Sequence, residues 1–404
     1  VIKQKEKVML MPDDTVKRDL FSLIKSALTG TSQPLSKDFD LVSVLGTVRK
    51  HQIENIVYYG AANCGIPTST PAMQKLFGVV CSALCLNETQ IFESERIFAA
   101  FEAEHIDFMP LKGTLLKPLY PKSDMRSMSD VDVLIKLEQY DKIRSVMQSL
   151  GFSEKAESDH ELIWTSSSFV LELHKRIVPS YNKDFYSYFG DGWQLARKVD
   201  GTACRYAMSK EDEYVYLFTH FAKHYRDGGV GIKHLTDFYV FLNAYPKLDR
   251  LYIEDKLEKL GLAEFEKNVS DTLAVWFFDK TSTPVTDLIT DVVFNSGAYG
   301  TRDAHLIAAA TKNSKVLGSA KKARASEYSY LIFLPYDGMC EKYPVLKKAK
   351  ILLPFFWVYR LAEAVFKKRK KIRAHQKDID LTSDENVSEY KKMLNAVGLD
   401  FNFE

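Results

Sequence analysis

Along the first hundred positions apolar residues recur at intervals of three and four, the period of helices with one face against a core. TVKRDLFSLIKSAL (15–28) and FDLVSVLGTVRKHQIENIVYYGAANCG (39–65) carry the pattern, with Gly30 and Gly65 as stops. A longer helix is expected from about Ala72 to Glu104. The period then changes. IDFMPLK (106–112) is short and apolar, like a strand, and Gly113 opens a helix over TLLKPLY that Tyr120-Pro121 ends. A polar loop, KSDMRSMS (122–129), leads into DVDVLIK (130–136), which alternates strictly as a strand does. LEQYDKIRSVMQSLGF (137–152) reads as a helix closed by Gly151, and ELIWTSSSFVLELHK (161–175) as a hairpin turning on its serines. From Asp184 the helical period returns, through KEDEYVYLFTHFAKHYRDGG (210–229), IKHLTDFYVFLNAY (232–245) and YIEDKLEKLGLAEFEKNVSDTLAVWFF (252–278). The expected fold is α+β: a small mixed-sheet core over 96–176, a helical region before it (1–95), a helical domain after it (177–330), and a basic helical tail (331–404).

Composition changes this picture little. An apolar fraction of 46%, with 25 Phe and 21 Tyr, is that of an ordered globular chain of 404 residues. The formal net charge of +2 favours no partner class, but Lys and Arg crowd the last quarter. The five cysteines are scattered without metal-ligand spacing, which suits free thiols in a reducing compartment. Cys81 and Cys85, four apart on a helix, are expected to be buried on one face. The segment VIKQKEKVMLMPDD has no long apolar run of the kind a signal peptide needs, and no stretch reaches the span of a bilayer. A cytoplasmic location is expected.

The chemistry gathers in the middle. In DVDVLI the side chains of Asp130 and Asp132 fall on one face of a strand. Carboxylates held so close repel each other, and burial sharpens the repulsion; a divalent cation removes it. Hard oxygen ligands suit Mg²⁺ or Mn²⁺, ions that bring nucleotide phosphates with them. Upstream, Lys112, Gly113 and Thr114 stand at a strand-to-helix turn where backbone N–H groups, a hydroxyl and an ammonium can meet a phosphate. Arg126 and Ser129, in the loop before the acids, are further phosphate candidates. Downstream, FVLELHK alternates again, with Glu172 and His174 on one face. With that strand beside DVDVLI, Glu172 completes three carboxylates, the set that metal-assisted phosphoryl transfer requires, and His174 is a candidate substrate contact.

The run LKGTLLKPLYPKSDMRSMSDVDVLI resembles the signature of an uncharacterised nucleotidyltransferase family within the DNA polymerase beta-like superfamily. There a Gly-Ser turn precedes an Asp-x-Asp strand, and a third acid follows on a later strand. Gly113 and Thr114 occupy the places of the Gly-Ser pair, Asp130 and Asp132 those of the metal acids, and Glu172 that of the third acid. Lys112, Tyr120, Pro121, Arg126 and His174 match further positions, with Thr in place of Ser and a longer loop as the departures. The resemblance is specific over 105–176 and loose over most of the chain. It implies a nucleotidyltransferase core using Mg²⁺ (or Mn²⁺) on Asp130, Asp132 and Glu172, and a nucleoside triphosphate as substrate. The acceptor is left open between a small molecule, a protein and RNA. Two rivals stay open: an inactive nucleotide- or partner-binding protein of the same fold, and a Mn-dependent glycosyltransferase using a nucleotide sugar.

Other groups have plainer readings beside them. His220 and His224, four apart, have a zinc spacing but no further ligand in view. Lys223, Arg226 and Lys233 can face a nucleotide or water. The tail, with KKAK (347–350), ILLPFFWVYRLAEAVF (351–366) and KKRKKIRAHQK (367–377), has three readings: a helix with a solvated basic face, a nucleic-acid contact, or a weak membrane-surface contact with Phe355, Phe356 and Trp357 inserted.

Overall fold

The chain is described from a computed structural model. It covers residues 14–317 except 168 and 181, then 336, 339, 343–347, 349–359 and 381–400. The starting segment and the KKRKKIRAHQK run lie outside the described residues.

Helices α1 (Asp14–Thr29), α2 (Leu41–His51), α3 (Glu54–Asn63) and α4 (Pro71–Ala103) come first. The expected 39–65 helix is two, because Gln52 adopts the left-handed conformation, at φ 55°, and ends α2. Asp40 opens α2 by accepting from the Val42 N–H, and Thr70 opens α4 the same way from Met73, with Pro71 at the first helical position. Cys81 and Cys85 on α4 are exposed rather than buried. Over this stretch the buried positions of α4 are Met73, Leu76, Val80, Asn87 and Gln90, on the other side of the helix.

The core then folds as β1 (Phe108–Pro110), α5 (Gly113–Leu116), β2 (Val131–Ile135), α6 (Tyr140–Ser149), β3 (Ser153–Glu157), β4 (Glu161–Thr165) and β5 (Val170–His174). Lys117–Leu119 continues α5 as a tighter 3-10 turn, so the helix expected over 114–120 is shorter. The sheet order is β1-β2-β5-β4-β3. β2 and β5 run parallel, and the other neighbours are antiparallel. One sheet face packs Val131, Val133, Ile135, Leu162, Trp164, Leu171 and Leu173 against Ile97 and Phe101 of α4 and Ile143 and Met147 of α6. The opposite pleat of β2 and β5 therefore presents Asp132, Glu172 and His174 away from this core.

α7 (Lys183–Phe189) and a small ribbon of β6 (Arg197–Lys198) and β7 (Tyr206–Ala207) lead to α8 (Lys210–Arg226). Helices α9 (Ile232–Ala244), α10 (Arg250–Lys259), α11 (Ala263–Phe277), α12 (Pro284–Ser296) and α13 (Arg302–Leu317) follow. A helical segment at 353–359, α14, and α15 (Asp384–Ala396) close the described chain. The chain divides into two compact units: residues 1–223 with 230–299, and residues 224–229 with 300–401. The sheet, α1–α7 and α9–α12 belong to the first. No helix among the described residues is long and apolar enough to cross a membrane.

Candidate active site

The site is built on the junction of β2 and β5. Their parallel register sets Asp132 directly beside Glu172 and Leu134 beside His174. Asp132 is buried, and its Oδ1 meets two cationic or hydrogen-bonding groups: Lys112 Nζ at 2.6 Å and His174 Nε2 at 2.8 Å. His174 Nε2 also stands 3.7 Å from Glu172 Oε2. Among the described residues one group of side chains has the spacing to hold a metal ion: Asp132, Glu172 and His174. Asp130 stands outside that group. It precedes the first residue of β2, half-buried, and its carboxylate feels the charges of Asp132 and Lys112.

The electrostatics express crowding. Burial and then the charges of Asp130 and Asp132 push the Glu172 carboxyl up to about 8, against the pull of Lys112. Burial and Asp132 raise Asp130 as well. Asp132 goes the other way: burial opposes its charge, but Lys112 and His174 hold it well below the usual carboxylate range. Burial would strip Lys112 of its proton, yet Asp132 keeps it an ammonium with a pKa well above the ordinary value. Burial and Lys112 lower His174, which is neutral; its Nε2–H donates to Asp132, and its buried Nδ1 has no partner. This donor set fits a hard divalent cation. Three close acids carry more negative charge than the site can hold bare, and a lysine ammonium already serves as counter-ion to one of them.

Lys112 also shapes the phosphate turn. It sits at φ 47°, a strained backbone for a residue with a side chain, at the entry to α5. At Gly113 the constraint is space: a Cβ there would lie 2.4 Å from Met128 Sδ and 3.6 Å from Arg126 Nη1. Thr114 Oγ1 is buried without a hydrogen-bond partner. Arg126 is not brought to the acids as a free phosphate ligand. It is buried in a two-pronged pair with Asp237 of α9, Nε to Oδ1 at 3.0 Å and Nη2 to Oδ2 at 2.9 Å. Its Nη1 donates to the Ser127 carbonyl, and the Tyr120 hydroxyl donates to Asp237 Oδ1 at 2.7 Å.

The 117–128 segment is therefore not a solvated polar loop. Asn55 and Tyr59 hold Asp124, and Gln90 holds the Met128 carbonyl. Buried Lys117 donates to the amide oxygens of Asn87 and Gln90. Two residues near the acids escaped sequence reasoning. Tyr216 of α8 is buried, its hydroxyl has no partner, and Lys112, Asp132 and Glu172 all act on it electrostatically. Glu161 on β4 pairs in register with His174 and lies 3.1 Å from His160 Nε2. Lys233 of α9 is buried rather than solvated, its pKa lowered by burial and Arg126 to about 8 although Asp237 and Asp130 pull it up. His220 and His224 enter no metal-capable group among the described residues.

The model of a family described as uncharacterised nucleotidyltransferase matches residues 37–278, more than half of the chain. The chain belongs to that family. The matched span runs from the helices that hold Asp124 and Lys117, through the acid cluster, to α11. Membership supports the nucleotidyltransferase reading over the glycosyltransferase rival, and among the described strands β2 and β5 are the one parallel pair. No curated protein shows significant similarity to the chain. Among solved structures, the antibiotic-resistance factor ANT(2'')-Ia is similar over 48% of this chain and 100% of its own, at 14% identity and a TM-score of 0.33.

Proposed function

We propose that this nucleotidyltransferase moves a nucleoside monophosphate from a nucleoside triphosphate to a hydroxyl or amine acceptor, with a divalent cation held at the β2–β5 junction. The observation that carries the reading is the register of Asp132 against Glu172, with His174 completing the group, beside a turn that buries an unpaired Thr114 hydroxyl. Asp132, Glu172 and His174, with Asp130 next to them, are the residues that would hold Mg²⁺ or Mn²⁺. When bound, the ion would supply positive charge to phosphate oxygens in place of bulk water.

The chain's own residues do the remaining work. The Gly113–Thr114 turn brings backbone N–H groups and the Thr114 hydroxyl to the phosphates, with Ser129 exposed beside Asp130. Lys112 and buried Lys233 would offer ammonium groups to the phosphates, and a phosphate beside it would return Lys233 to full charge. The acceptor oxygen or nitrogen bonds to the α-phosphorus, the bond from that phosphorus to the β-bridging oxygen breaks, and pyrophosphate leaves with the electron pair. Once its own proton has been released, Glu172 is placed to take the acceptor's. Arg126 acts indirectly, by fixing the loop that carries Ser129 and Asp130.

Calorimetric titration with ATP, CTP, GTP and UTP, with and without Mg²⁺ or Mn²⁺, tests the reading on wild type, Asp132→Asn and Glu172→Gln. Triphosphate binding that needs the cation and is lost in Asp132→Asn is the expected result. Cation-independent binding unchanged in both variants would overturn it.

A further inference from the structure

Helix α4 carries a second apolar row that the fold leaves in water. Its core side runs through Met73, Leu76, Val80, Ile97 and Phe101. Turned away from that side are Phe77, Cys81, Leu84, Cys85 and Phe92, all exposed, with Phe77 at 51% and Phe92 at 64%. The last four stand four, seven, eight and fifteen positions beyond Phe77, on one side of the helix over about four turns. Between Lys75 and Glu88 the helix has no charged residue, although its exposed side there should be its most polar. Gly78 adds to this. It is exposed inside the helix, where a glycine weakens it, and nothing stands within 4 Å of where its Cβ would be. No internal packing requires a glycine there, whereas close approach of a second helix would.

We propose that this row is a contact between two copies of the chain, their α4 helices packed antiparallel and centred between Cys81 and Cys85. Charge selects both the occupant and the direction. The row continues into Glu88 and Glu95, both exposed, and the nearby Arg96 is spent on Glu93 and the Leu150 carbonyl. An anionic lipid surface or a nucleic-acid backbone would therefore meet acids rather than a basic patch. Parallel packing of two copies would set Glu88 on Glu88 and Glu95 on Glu95. Antiparallel packing about residue 83 instead sets Glu88 opposite Gly78 and Glu95 opposite Pro71. It also brings Lys75 between Glu88 and Glu95 of the other copy, within reach of its long stem. The uncharged stretches 76–87 then cover each other, Cys81 faces Cys85, and Phe77 lies within a turn of Phe92 of the other copy.

The test is analytical ultracentrifugation of the full chain under reducing conditions. A concentration-dependent dimer is expected, and Phe77→Ser/Phe92→Ser should weaken it about a hundredfold. Both positions are exposed, so an unchanged far-ultraviolet circular dichroism spectrum identifies a variant that keeps its fold. Lys75→Glu alone, or Glu88→Lys/Glu95→Lys, should weaken association about two- to fivefold, and the three changes together should restore it by exchanging the signs. Diamide oxidation of the wild type should give a disulfide dimer whose peptides join Cys81 to Cys85. Within one helix these two stand about 6 Å apart at Cβ, too far for that bond. A chain still monomeric at about 100 μM, a dimer that survives Phe77→Ser/Phe92→Ser, or disulfides joining Cys81 to Cys81 would overturn the proposal. So would retention on anionic vesicles or on an RNA oligonucleotide that the same pair abolishes. The proposal is independent of the catalytic reading, and cation-dependent nucleotide titration should be unchanged in Phe77→Ser/Phe92→Ser.

Discussion

Removing Asp237 should destabilise the first unit far more than an ordinary loss of one side chain. Arg126 and Asp237 are both nearly buried, with side chains 10% and 8% exposed, and joined by two charge-assisted hydrogen bonds. Truncation to Ala leaves a guanidinium without its counter-charge away from water, a loss of about 3–5 kcal/mol. It also orphans the buried Tyr120 hydroxyl, which adds on the order of 1 kcal/mol. Against a domain stability of roughly 5–15 kcal/mol, the sum is about a quarter or more of the total. The partner of this experiment is Arg126→Met/Asp237→Leu, which removes both charges and fills the volume. If the penalty is that of an uncompensated charge, the double variant is more stable than Asp237→Ala alone. Urea unfolding followed by tryptophan fluorescence measures all the variants on one scale. A cost below about 1 kcal/mol for Asp237→Ala, or a double variant as costly as the two singles added, would refute the reasoning. Because Arg126 anchors the loop to Ser129 and Asp130, a folded Arg126→Lys protein should also bind cation more weakly than wild type.

The other predictions concern space, protonation and the orphaned tyrosine. Gly113→Ala should cost about 1–3 kcal/mol, because the new methyl meets Met128 Sδ, and Met128→Ala in the same chain should recover part of it by thermal melting. Lys117 has a pKa lowered to about 8 by burial and then Arg126, with no carboxylate in hydrogen-bond contact. Between about 8 and its ordinary value of 10.5 the unfolded chain binds a proton that the folded one does not, so stability rises with pH across that window and its gain is lost as pH falls through 8. Lys117→Met should reduce this rise in denaturation curves taken from pH 8 to 10, leaving the share of Lys233, whose pKa is lowered to about 8 as well. Tyr216→Phe removes a buried hydroxyl with no partner, so it should leave stability within about 1 kcal/mol of wild type. If that hydroxyl serves bound nucleotide instead, the same variant should weaken cation-dependent titration several-fold.

How much of this was readable in the sequence depends on how far apart the interacting residues lie. The alternation of DVDVLI and FVLELH was enough to put Asp132 and Glu172 on the polar pleats of two strands, and the apolar remainder forced those strands into one core. Their register is a product of the fold, but their types were local. β3 was invisible for the opposite reason: SEKAE is an exposed edge strand with no apolar face, so no alternation marks it. The break at Gln52 is similarly silent, since a left-handed Gln leaves no compositional trace.

The acid cluster and its support therefore belong to different kinds of information. Lys112, Asp132 and His174 lie within one sequence motif region, and their chemistry could be argued from residue type and period. Arg126 and Asp237 are 111 positions apart, each plausible as a solvated charge when taken alone, and neither periodicity nor spacing joins them. Tyr216 is hidden the same way, one aromatic among several on an amphipathic helix, distinguishable from core only once α8 places its hydroxyl toward Lys112. The loop between the turn and the acids reads as polar because its anchors are polar: Asp124, Lys117 and Arg126 are buried and paired with residues before and after the core. A buried polar pair costs stability unless its geometry is met in full, so a chain that keeps several around one loop has its site geometry tied to its folding. Variants there should shift cation binding and unfolding together, whereas changes at Glu172 should shift cation binding alone.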